Sequence, residues 1–353
     1  MPTSLVPGSV MAREIAAQPD GLARILDEGL GPIRAAAAAI RELDPHFVLF
    51  TGRGTSDNAG LYARYLTEVL LGVPAGLTSM STTTAYRARQ RLTGCLVVTV
   101  SQSGGSPDLI ASARQARADG ALTLAVTNNA ESVLARESDL HLDVLAGPEL
   151  ALPATKTYTA ELLTLFLLVD HIRGGTGEAA RGLPGAAREI LDRGAEVAAL
   201  AERYRFADRL VVTARGYGYA TALEAALKIM ETSYIGAQAF SGADLMHGPL
   251  AIVDQAWPVL AVSADGAGGV ALRPVLDRLR SRGADLCVVG GAEVVAAYGR
   301  GFVLAGAGAG AVAEEVSPIL EILPLQMLAR EVALGRGCDP DAPRALAKVT
   351  ETS

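Results

Sequence analysis

Three charged side chains recur one helical turn apart in the segment TALEAALKIMETSYIG. Glu224, Lys228 and Glu231 are separated by four and three residues, which places them on one face of a helix. A carboxylate beside an ammonium could move a proton between neighbouring carbon atoms of a substrate. The same spacing suits a surface ion-pair ladder, which contributes only ~0.3 to 0.5 kcal/mol per pair. In either interpretation, the predicted apolar stripe of this helix consists of Leu223, Leu227 and Met230.

A loop rich in serine and glycine follows the apolar run LVVTV, at the predicted end of a buried strand. In open parallel sheets, ligands bind beyond the carboxyl ends of the strands, where helix N-termini offer free N–H groups. Pro107, directly after the loop, suits the first position of such a helix. The loop is therefore either a helix cap and tight turn or a cradle for a phosphate. Its candidate phosphate-binding side chains are Ser101, Gln102, Ser103 and Ser106.

A second polar turn favours the phosphate interpretation. The segment GRGTSDNAG follows the preceding predicted strand and carries Thr55, Ser56 and Asn58. Hydroxyl donors at two strand ends of one α/β unit fit a phosphosugar pocket. Neither loop has the G-x-G-x-x-G pattern of a dinucleotide site or the G-K-[ST] ending of a P-loop.

Two further side chains could act on a sugar. His247 directly precedes a Gly-Pro pair and could open a sugar ring while a glutamate moves a proton, although a lone histidine is more often a cap or a core residue. Lys348 lies in a polar, proline-broken C-terminal segment. It is either a solvated charge of a frayed tail or an amine that the tail brings to a sugar carbonyl.

The segments around these residues predict two similar α/β halves. FVLFTGRGTSDNAGLYARYL and LVVTARGYGYATALEAALK share an apolar run, an Arg-Gly pair and a helical Ala/Leu pattern, so that Arg53-Gly54 corresponds to Arg215-Gly216. Further apolar runs follow in each half: CLVVTV and LTLAVTN in the first, WPVLAVS and DLCVVGG in the second. Such runs, alternating with helical stretches, indicate parallel strands buried on both faces.

The predicted organisation has four parts. A helical N-terminal segment covers residues 1–45, and the two α/β domains cover 46–190 and 191–335. A Gly-rich stretch at 172–185 marks the joint between the domains. A helix from about Ser317 to Leu334 closes the second domain, and residues 336–353 form a tail over the active site.

Composition excludes several classes of protein. The 353 residues carry a net charge of −7, which does not suit a broad nucleic-acid surface. Three widely spaced cysteines argue against a disulfide framework and a zinc site, so we expect a protein of the reducing cytoplasm. The N-terminus does not resemble a secretory signal, and the apolar window AELLTLFLLVDHI is too short to span a membrane.

The order of the motifs resembles a known family almost from end to end. GRGTSDNAG, SQSGGSPD, PATKTYTAELL, ALEAALKIMETSYIGAQAFSGADLMHGPLAIV and DPDAPRALAKVTE are similar to segments of the double-SIS-domain phosphosugar isomerases and deaminases. This family includes the isomerase half of glucosamine-6-phosphate synthase. The resemblance implies two tandem SIS domains, each a parallel-sheet α/β/α sandwich, and a phosphorylated amino sugar as substrate, with neither metal nor cofactor.

The resemblance also implies a role for each candidate residue. Glu231 would shuttle a proton between C1 and C2 beside Lys228, and His247 would open the ring from the partner subunit of a homodimer. Lys348 would form an imine with a ketose. The loop at 101–106 would hold the phosphate, and the residues implied to lie beside the substrate are Thr55, Ser56 and Ala154.

Departures from the synthase pattern point to deamination. A glutaminase domain is not expected, because the chain begins Met1-Pro2-Thr3 and its first cysteine is Cys95. Gly105 and Ala154 stand where the synthase has an acidic residue and a serine, and these segments instead look like stand-alone glucosamine-6-phosphate deaminases. The alternatives are a galactosamine 6-phosphate deaminase, an aldose–ketose isomerase on another phosphosugar, and a non-catalytic sugar-phosphate sensor.

Overall fold

The computed structural model describes residues 6–304 and 312–346. Contacts within the chain group these residues into two units. The first unit contains residues 20–149, 156–181 and 346, and the second contains residues 6–19, 150–155, 182–304 and 312–345. The contacts thus divide the chain between Arg181 and Gly182, whereas the sequence predicts a domain boundary near residue 190. The four-part domain division stays a prediction.

Each unit holds one five-stranded sheet in which all strands run parallel. In the first unit the strands are β1 (Phe47–Thr51), β2 (Ala75–Leu77), β3 (Cys95–Ser101), β4 (Leu122–Thr127) and β5 (Leu140–Asp143). In the second unit they are β6 (Arg209–Ala214), β7 (Gly236–Ser241), β8 (Pro258–Ser263), β9 (Asp285–Gly290) and β10 (Gly301–Val303). The spatial orders are β2-β1-β3-β4-β5 and β10-β9-β8-β6-β7.

Helices follow most strands, as parallel connections require. In chain order they are α1 (Ser9–Ala16), α2 (Gln18–Arg24), α3 (Leu30–Leu43), α4 (Thr55–Leu66), α5 (Ser81–Thr84), α6 (Pro107–Ala118), α7 (Val133–Glu137), α8 (Lys156–Ile172), α9 (Leu183–Leu191), α10 (Gly194–Ala201), α11 (Gly218–Ser233), α12 (Gly242–Met246), α13 (Ala267–Ser281), α14 (Ala292–Tyr298) and α15 (Ser317–Gly335). Wider π-helical turns cover Ile25–Gly29 and Thr67–Leu71, and 3₁₀ turns cover Glu178–Ala180, Glu202–Tyr204, Pro249–Ile252 and Glu314–Val316.

The apolar runs of the sequence form the interior strands. Every residue of β3 is buried, because helices cover both faces of the sheet. The predicted strands correspond to β1, β3, β4, β6, β8 and β9, and the predicted α/β architecture in two halves is confirmed. The helical N-terminal segment and the helix beginning at Ser317 are also confirmed.

The two sheets repeat one topology. In each, the second strand in sequence lies outside the first, and the third lies on the other side of the first. The crevice between the carboxyl ends of the first and third strands is where open α/β sheets bind ligands. Arg53-Gly54 follows β1 and Arg215-Gly216 follows β6, so the predicted correspondence between the two pairs holds in the structure.

No helix among residues 6–304 and 312–346 is long and apolar enough to cross a membrane.

Candidate active site

The first unit brings the two predicted polar loops to one edge of its sheet. Strands β1 and β3 pair in parallel, with Thr51 opposite Thr99, and the loops leave their carboxyl ends. Between the loops, Arg53 donates through Nε and Nη2 to Asp108 Oδ2, at 2.9 and 2.8 Å. Asp108 is buried in the first turn of α6, so this ion pair joins the β1–α4 loop to the helix that follows β3.

The loop after β3 is a tight turn that depends on glycine. Gly104 has a φ of +60°, and a Cβ atom at this position would lie 2.3 Å from Ser132 Oγ. The N–H groups of Gly104 and Gly105 donate to Ser101 Oγ and Ser103 Oγ, each at 3.2 Å. A hydroxyl that accepts one hydrogen bond can still donate its own proton. The loop is therefore folded by its own serines and can still offer O–H donors to an anion.

Ser106 ends this loop as the residue before α6. Its backbone is extended, with φ −67° and ψ 122°, and its hydroxyl makes no capping bond to the helix. Pro107 occupies the first helical turn, where a missing N–H costs nothing. Among the first N–H groups of α6, that of Leu109 donates to Asp108 Oδ1 at 2.9 Å and that of Ile110 to the Ser106 carbonyl oxygen at 3.1 Å. The Asp108 N–H and the Ser106 hydroxyl are the groups of this turn that could meet a phosphate.

The loop after β1 positions Thr55 and Ser56 differently. Thr55 is the first residue of α4. Ser56 is buried, and its hydroxyl donates to Glu161 Oε1 at 2.9 Å. A contact of the Ser56 hydroxyl with substrate would therefore have to replace this bond, and the substrate-binding roles of both residues stay predictions. Glu161 was not predicted from the sequence, although a carboxylate inside the apolar run AELLTLFLLV of α8 is a signal that could have found it.

The charged triad of the second unit is buried. On α11, Lys228 Nζ lies 3.4 Å from Glu224 Oε1 and 2.5 Å from Glu231 Oε2. The Lys228 side chain is 1% exposed, that of Glu224 0% and that of Glu231 20%. Burial alone lowers the pKa of Lys228, but the charges and hydrogen bonds of the two glutamates outweigh it, and the pKa is raised above the usual lysine value. The ammonium is therefore a fixed positive charge beneath a partly accessible carboxylate.

Because the charged side chains of α11 are buried, two predictions were wrong: that they form an ion-pair ladder on the surface, and that the opposite stripe faces the core. Leu223 and Leu227 are half-buried and Met230 is 41% exposed, whereas the charged face of α11 points inward. A charge leaves water only where it is paired, as it is here. A helix whose charged face is buried is typical of a functional site and not of a solvated surface.

His247 follows α12 and is exposed. Within the described part of the chain, its imidazole makes no hydrogen bond with the triad. Ala154 is half-buried and lies two residues before α8. Lys348 lies outside the described residues. The roles of these three positions stay predictions.

In the second unit, a carboxylate of the chain itself occupies the turn that corresponds to the loop after β3. After β8, the N–H groups of Ala267 and Gly268 donate to the Glu314 carboxylate at 2.8 and 2.7 Å. These donors lie in the first turn of α13, at the same topological place as the first turn of α6. An external anion at these two N–H groups would have to displace Glu314.

A further carboxylate, Glu321, lies close to the turn between β6 and α11. It is fully buried and accepts hydrogen bonds from Thr221 Oγ1 at 3.0 Å and Ser317 Oγ at 2.8 Å. Burial raises its pKa to about 7, against the partial compensation of these two bonds. Like Glu161, it lies within an apolar run of its helix, and it was not predicted from the sequence.

Among residues 6–304 and 312–346, no three histidine, cysteine, aspartate or glutamate side chains are grouped closely enough to hold a metal ion.

The chain is similar to known proteins in sequence and in structure. The family model described as SIS domain matches residues 44–170 and 204–293, which is more than half of the chain. A glutamine–fructose-6-phosphate aminotransferase from Pseudomonas aeruginosa is 35% identical over 96% of this chain. The chain spans 58% of the length of that relative.

Solved structures match over nearly the whole chain. A Silicibacter pomeroyi protein assigned as a phosphosugar isomerase superimposes with a TM-score of 0.84 at 33% identity, covering 95% of this chain and 100% of its own. A glucosamine-6-phosphate deaminase from Thermotoga maritima gives a TM-score of 0.78 at 25% identity, covering 98% of this chain and 100% of its own.

Proposed function

We propose, on the premise that the chain belongs to the SIS domain family, that it converts glucosamine 6-phosphate and water into fructose 6-phosphate and ammonia. The observation that carries this proposal is the buried triad of α11, in which Lys228 supports a carboxylate that is still partly accessible. A buried charge cluster is costly to maintain, and such clusters gather at functional sites.

The reaction needs one proton to move and one C–N bond to break. After ring opening, the Glu231 carboxylate takes the proton from C2, giving an enolamine, and returns a proton to C1. The product is an imine at C2, which water hydrolyses to the ketone with release of ammonia. Lys228 balances the charge of the Glu231 carboxylate and fixes its position at 2.5 Å.

The loop after β3 supplies phosphate binding in this proposal. Ser101, Ser103 and Ser106 offer hydroxyls, and the start of α6 offers the N–H of Asp108 and a partial positive charge. The Arg53–Asp108 ion pair keeps the two loops of the crevice together. A dianion can bind here without a dedicated basic cluster, which agrees with the acidic composition of the chain.

A homodimer completes the proposal, with His247 opening the ring in the site of the partner subunit. Its support is that His247 is exposed and that the apolar side chains of Met246 and Ile252 near it are 43% and 38% exposed. If subunits share sites, mixing His247→Ala with Glu231→Gln subunits restores about a quarter of the wild-type activity in exchanged dimers. No recovery after verified subunit exchange would place His247 in its own subunit's site or outside the reaction.

The deciding experiment offers glucosamine 6-phosphate and galactosamine 6-phosphate separately to the purified protein, without glutamine, and measures ammonia and ketose. Equal amounts of ammonia and fructose 6-phosphate from glucosamine 6-phosphate support the proposal. Turnover of galactosamine 6-phosphate alone would show that the substrate is the other C4 epimer. Ketose formation from a phosphosugar without ammonia favours the aldose–ketose isomerase, and binding without turnover favours the sensor.

A further inference from the structure

The first unit contains an apolar cavity of about 300 Å³ away from its polar loops. Its walls come from β1, β3, α3, α8 and the π-helical turn Thr67–Leu71. The apolar side chains of the wall include Val48, Phe50, Leu70, Leu96, Val98 and Leu165. Asp44 and Pro45, just before β1, also line it, so the cavity reaches the amino ends of the strands, whereas the polar loops leave the carboxyl ends.

Basic side chains surround the opening of this cavity. Arg41 and Arg173 line both the cavity and a neighbouring hollow of about 530 Å³, and Arg34 lines the hollow. Two acidic groups face the same region, Asp44 at the cavity wall and Asp170 in an ion pair of 2.7 Å with Arg173. Three arginines against two aspartates leave an excess of one positive charge at the opening.

A buried histidine in the hollow has an unused ring nitrogen. His171 is 6% exposed, and its Nδ1 lies 2.8 Å from the carbonyl oxygen of Gly175, so Nδ1 carries the proton and donates. Its Nε2 is buried and has no hydrogen-bond partner within the described part of the chain. A ring nitrogen that carries no proton is an acceptor and cannot pair with an ionised carboxylate, so the arginines supply the donors for an anion here. Arg41, at the same opening, donates from Nη1 to the carbonyl oxygen of His171 at 2.5 Å.

We propose that the cavity and the hollow form one ligand site for a carboxylic acid with an unbranched acyl chain. The acyl chain occupies the apolar cavity, and the carboxyl group lies at the opening beside Arg41 and Arg173. Apolar chambers with a few convergent polar groups are the usual form of small-molecule sites. This site takes a different chemical class of ligand from the phosphate loop, and it stands independently of the proposed function.

The first test measures binding of sodium octanoate, sodium butyrate and 1-octanol to the wild-type protein by calorimetry, without any sugar phosphate. Each buried methylene tightens binding about fourfold, so octanoate binds on the order of 10²-fold more tightly than butyrate. Octanoate also binds at least tenfold more tightly than 1-octanol, because the alcohol lacks the charge. Equal affinities of octanoate and 1-octanol, or no octanoate binding at millimolar concentration, would overturn the proposal.

Matched variants locate the site. Arg41→Gln weakens octanoate binding about tenfold and leaves 1-octanol binding unchanged, while Leu70→Phe fills the cavity and weakens both. The control is Arg64→Gln on α4, an arginine paired with Glu68 at 3.1 Å outside the cavity, which leaves both affinities unchanged. Arg41 and Arg64 are both on the surface, so these two variants are expected to fold, and a thermal melt confirms it. Equal loss of octanoate affinity in both arginine variants would contradict the location.

Discussion

The ammonium of Lys228 and the carboxylate of Glu231 form an ion pair of 2.5 Å whose two partners differ in exposure, 1% for the lysine and 20% for the glutamate. Glu224, the other carboxylate near Lys228, is completely buried. Of the three charged groups, only Glu231 can therefore meet a molecule arriving from solvent. In the proposed reaction, this difference in exposure assigns the proton transfer to Glu231 and not to Glu224.

Replacing Glu231 by glutamine should lower kcat for ammonia release from glucosamine 6-phosphate by about 10² to 10⁴-fold, because the amide cannot accept the C2 proton. Binding of the sugar phosphate should change little, since the phosphate loop is untouched. The matched control is Glu196→Gln, which alters an exposed glutamate in an i,i+3 pair with Arg193. Wild-type turnover in Glu231→Gln would refute the assignment of the base.

Replacing Lys228 by methionine should lower the free energy of unfolding by about 3 to 5 kcal/mol, because two carboxylates lose their buried counter-charge. Urea denaturation measures this loss. Lys156→Met is the control, since Lys156 is only half-buried and its Nζ donates only to the carbonyl oxygen of Pro148 among the described contacts. If both variants were equally stable, Lys228 would not be the charge that holds the triad together.

Adding one methyl group at Gly104 should disrupt the phosphate loop. Gly104→Ala forces a side chain into a left-handed conformation and against Ser132 Oγ, and the strain is about 1 to 3 kcal/mol. The KM for the sugar phosphate should rise at least tenfold. Gly105→Ala is the neighbouring control, because its Cβ would have Ser103 Oγ no closer than 3.7 Å. Equal KM values in the two variants would mean that the shape of this loop is not needed for substrate binding.

Glu321 should make the stability of the protein fall as the pH rises. Its pKa is raised from 4.5 to about 7 in the folded protein, so the folded state holds a proton that the unfolded state releases. The stabilisation is complete below pH 4.5 and is lost as the pH rises through about 7, a change of about 3 kcal/mol. Urea denaturation at several pH values should show this slope in the wild type and lose it in Glu321→Gln.

A control for this comparison is Glu293→Gln, which alters a glutamate whose side chain is 76% exposed. Its stability should follow the wild-type pH dependence. If Glu321→Gln also kept the full wild-type slope between pH 4.5 and 7, the folded-state proton would reside elsewhere.

The sequence predicted the interior of both sheets and not their edges. The four strands that were not predicted, β2, β5, β7 and β10, are the edge strands of the two sheets. An interior strand is covered on both faces and reads as a continuous apolar run, whereas an edge strand is short or partly exposed. β2 and β10 have three residues each, and four of the six residues of β7 are exposed or half-buried.

For the site, residue types were more informative than periodicity. The helical spacing of Glu224, Lys228 and Glu231 was right, but the face of the helix was wrong, because sequence hydrophobicity assumes that charged residues face water. The rarity of lysine draws attention to the site more directly than the helical spacing does. The chain has three lysines, and arginine supplies its other basic residues. Two of those three lysines, Lys228 and Lys348, are candidate catalytic residues. Contacts such as Ser56 with Glu161 join residues far apart in sequence, and no local pattern could reveal them.

Glu314, whose carboxylate accepts hydrogen bonds from the first turn of α13, also makes the stability of the two halves respond differently to anions. An anion that binds the loop after β3 stabilises the first half through mass action, by an amount that grows with its concentration. The N–H groups of Ala267 and Gly268 cannot respond in this way, because a tethered carboxylate is always present at a fixed effective concentration. Under the proposed function, the stability of the first half thus rises with the concentration of sugar phosphate, and the corresponding turn of the second half adds nothing to that response.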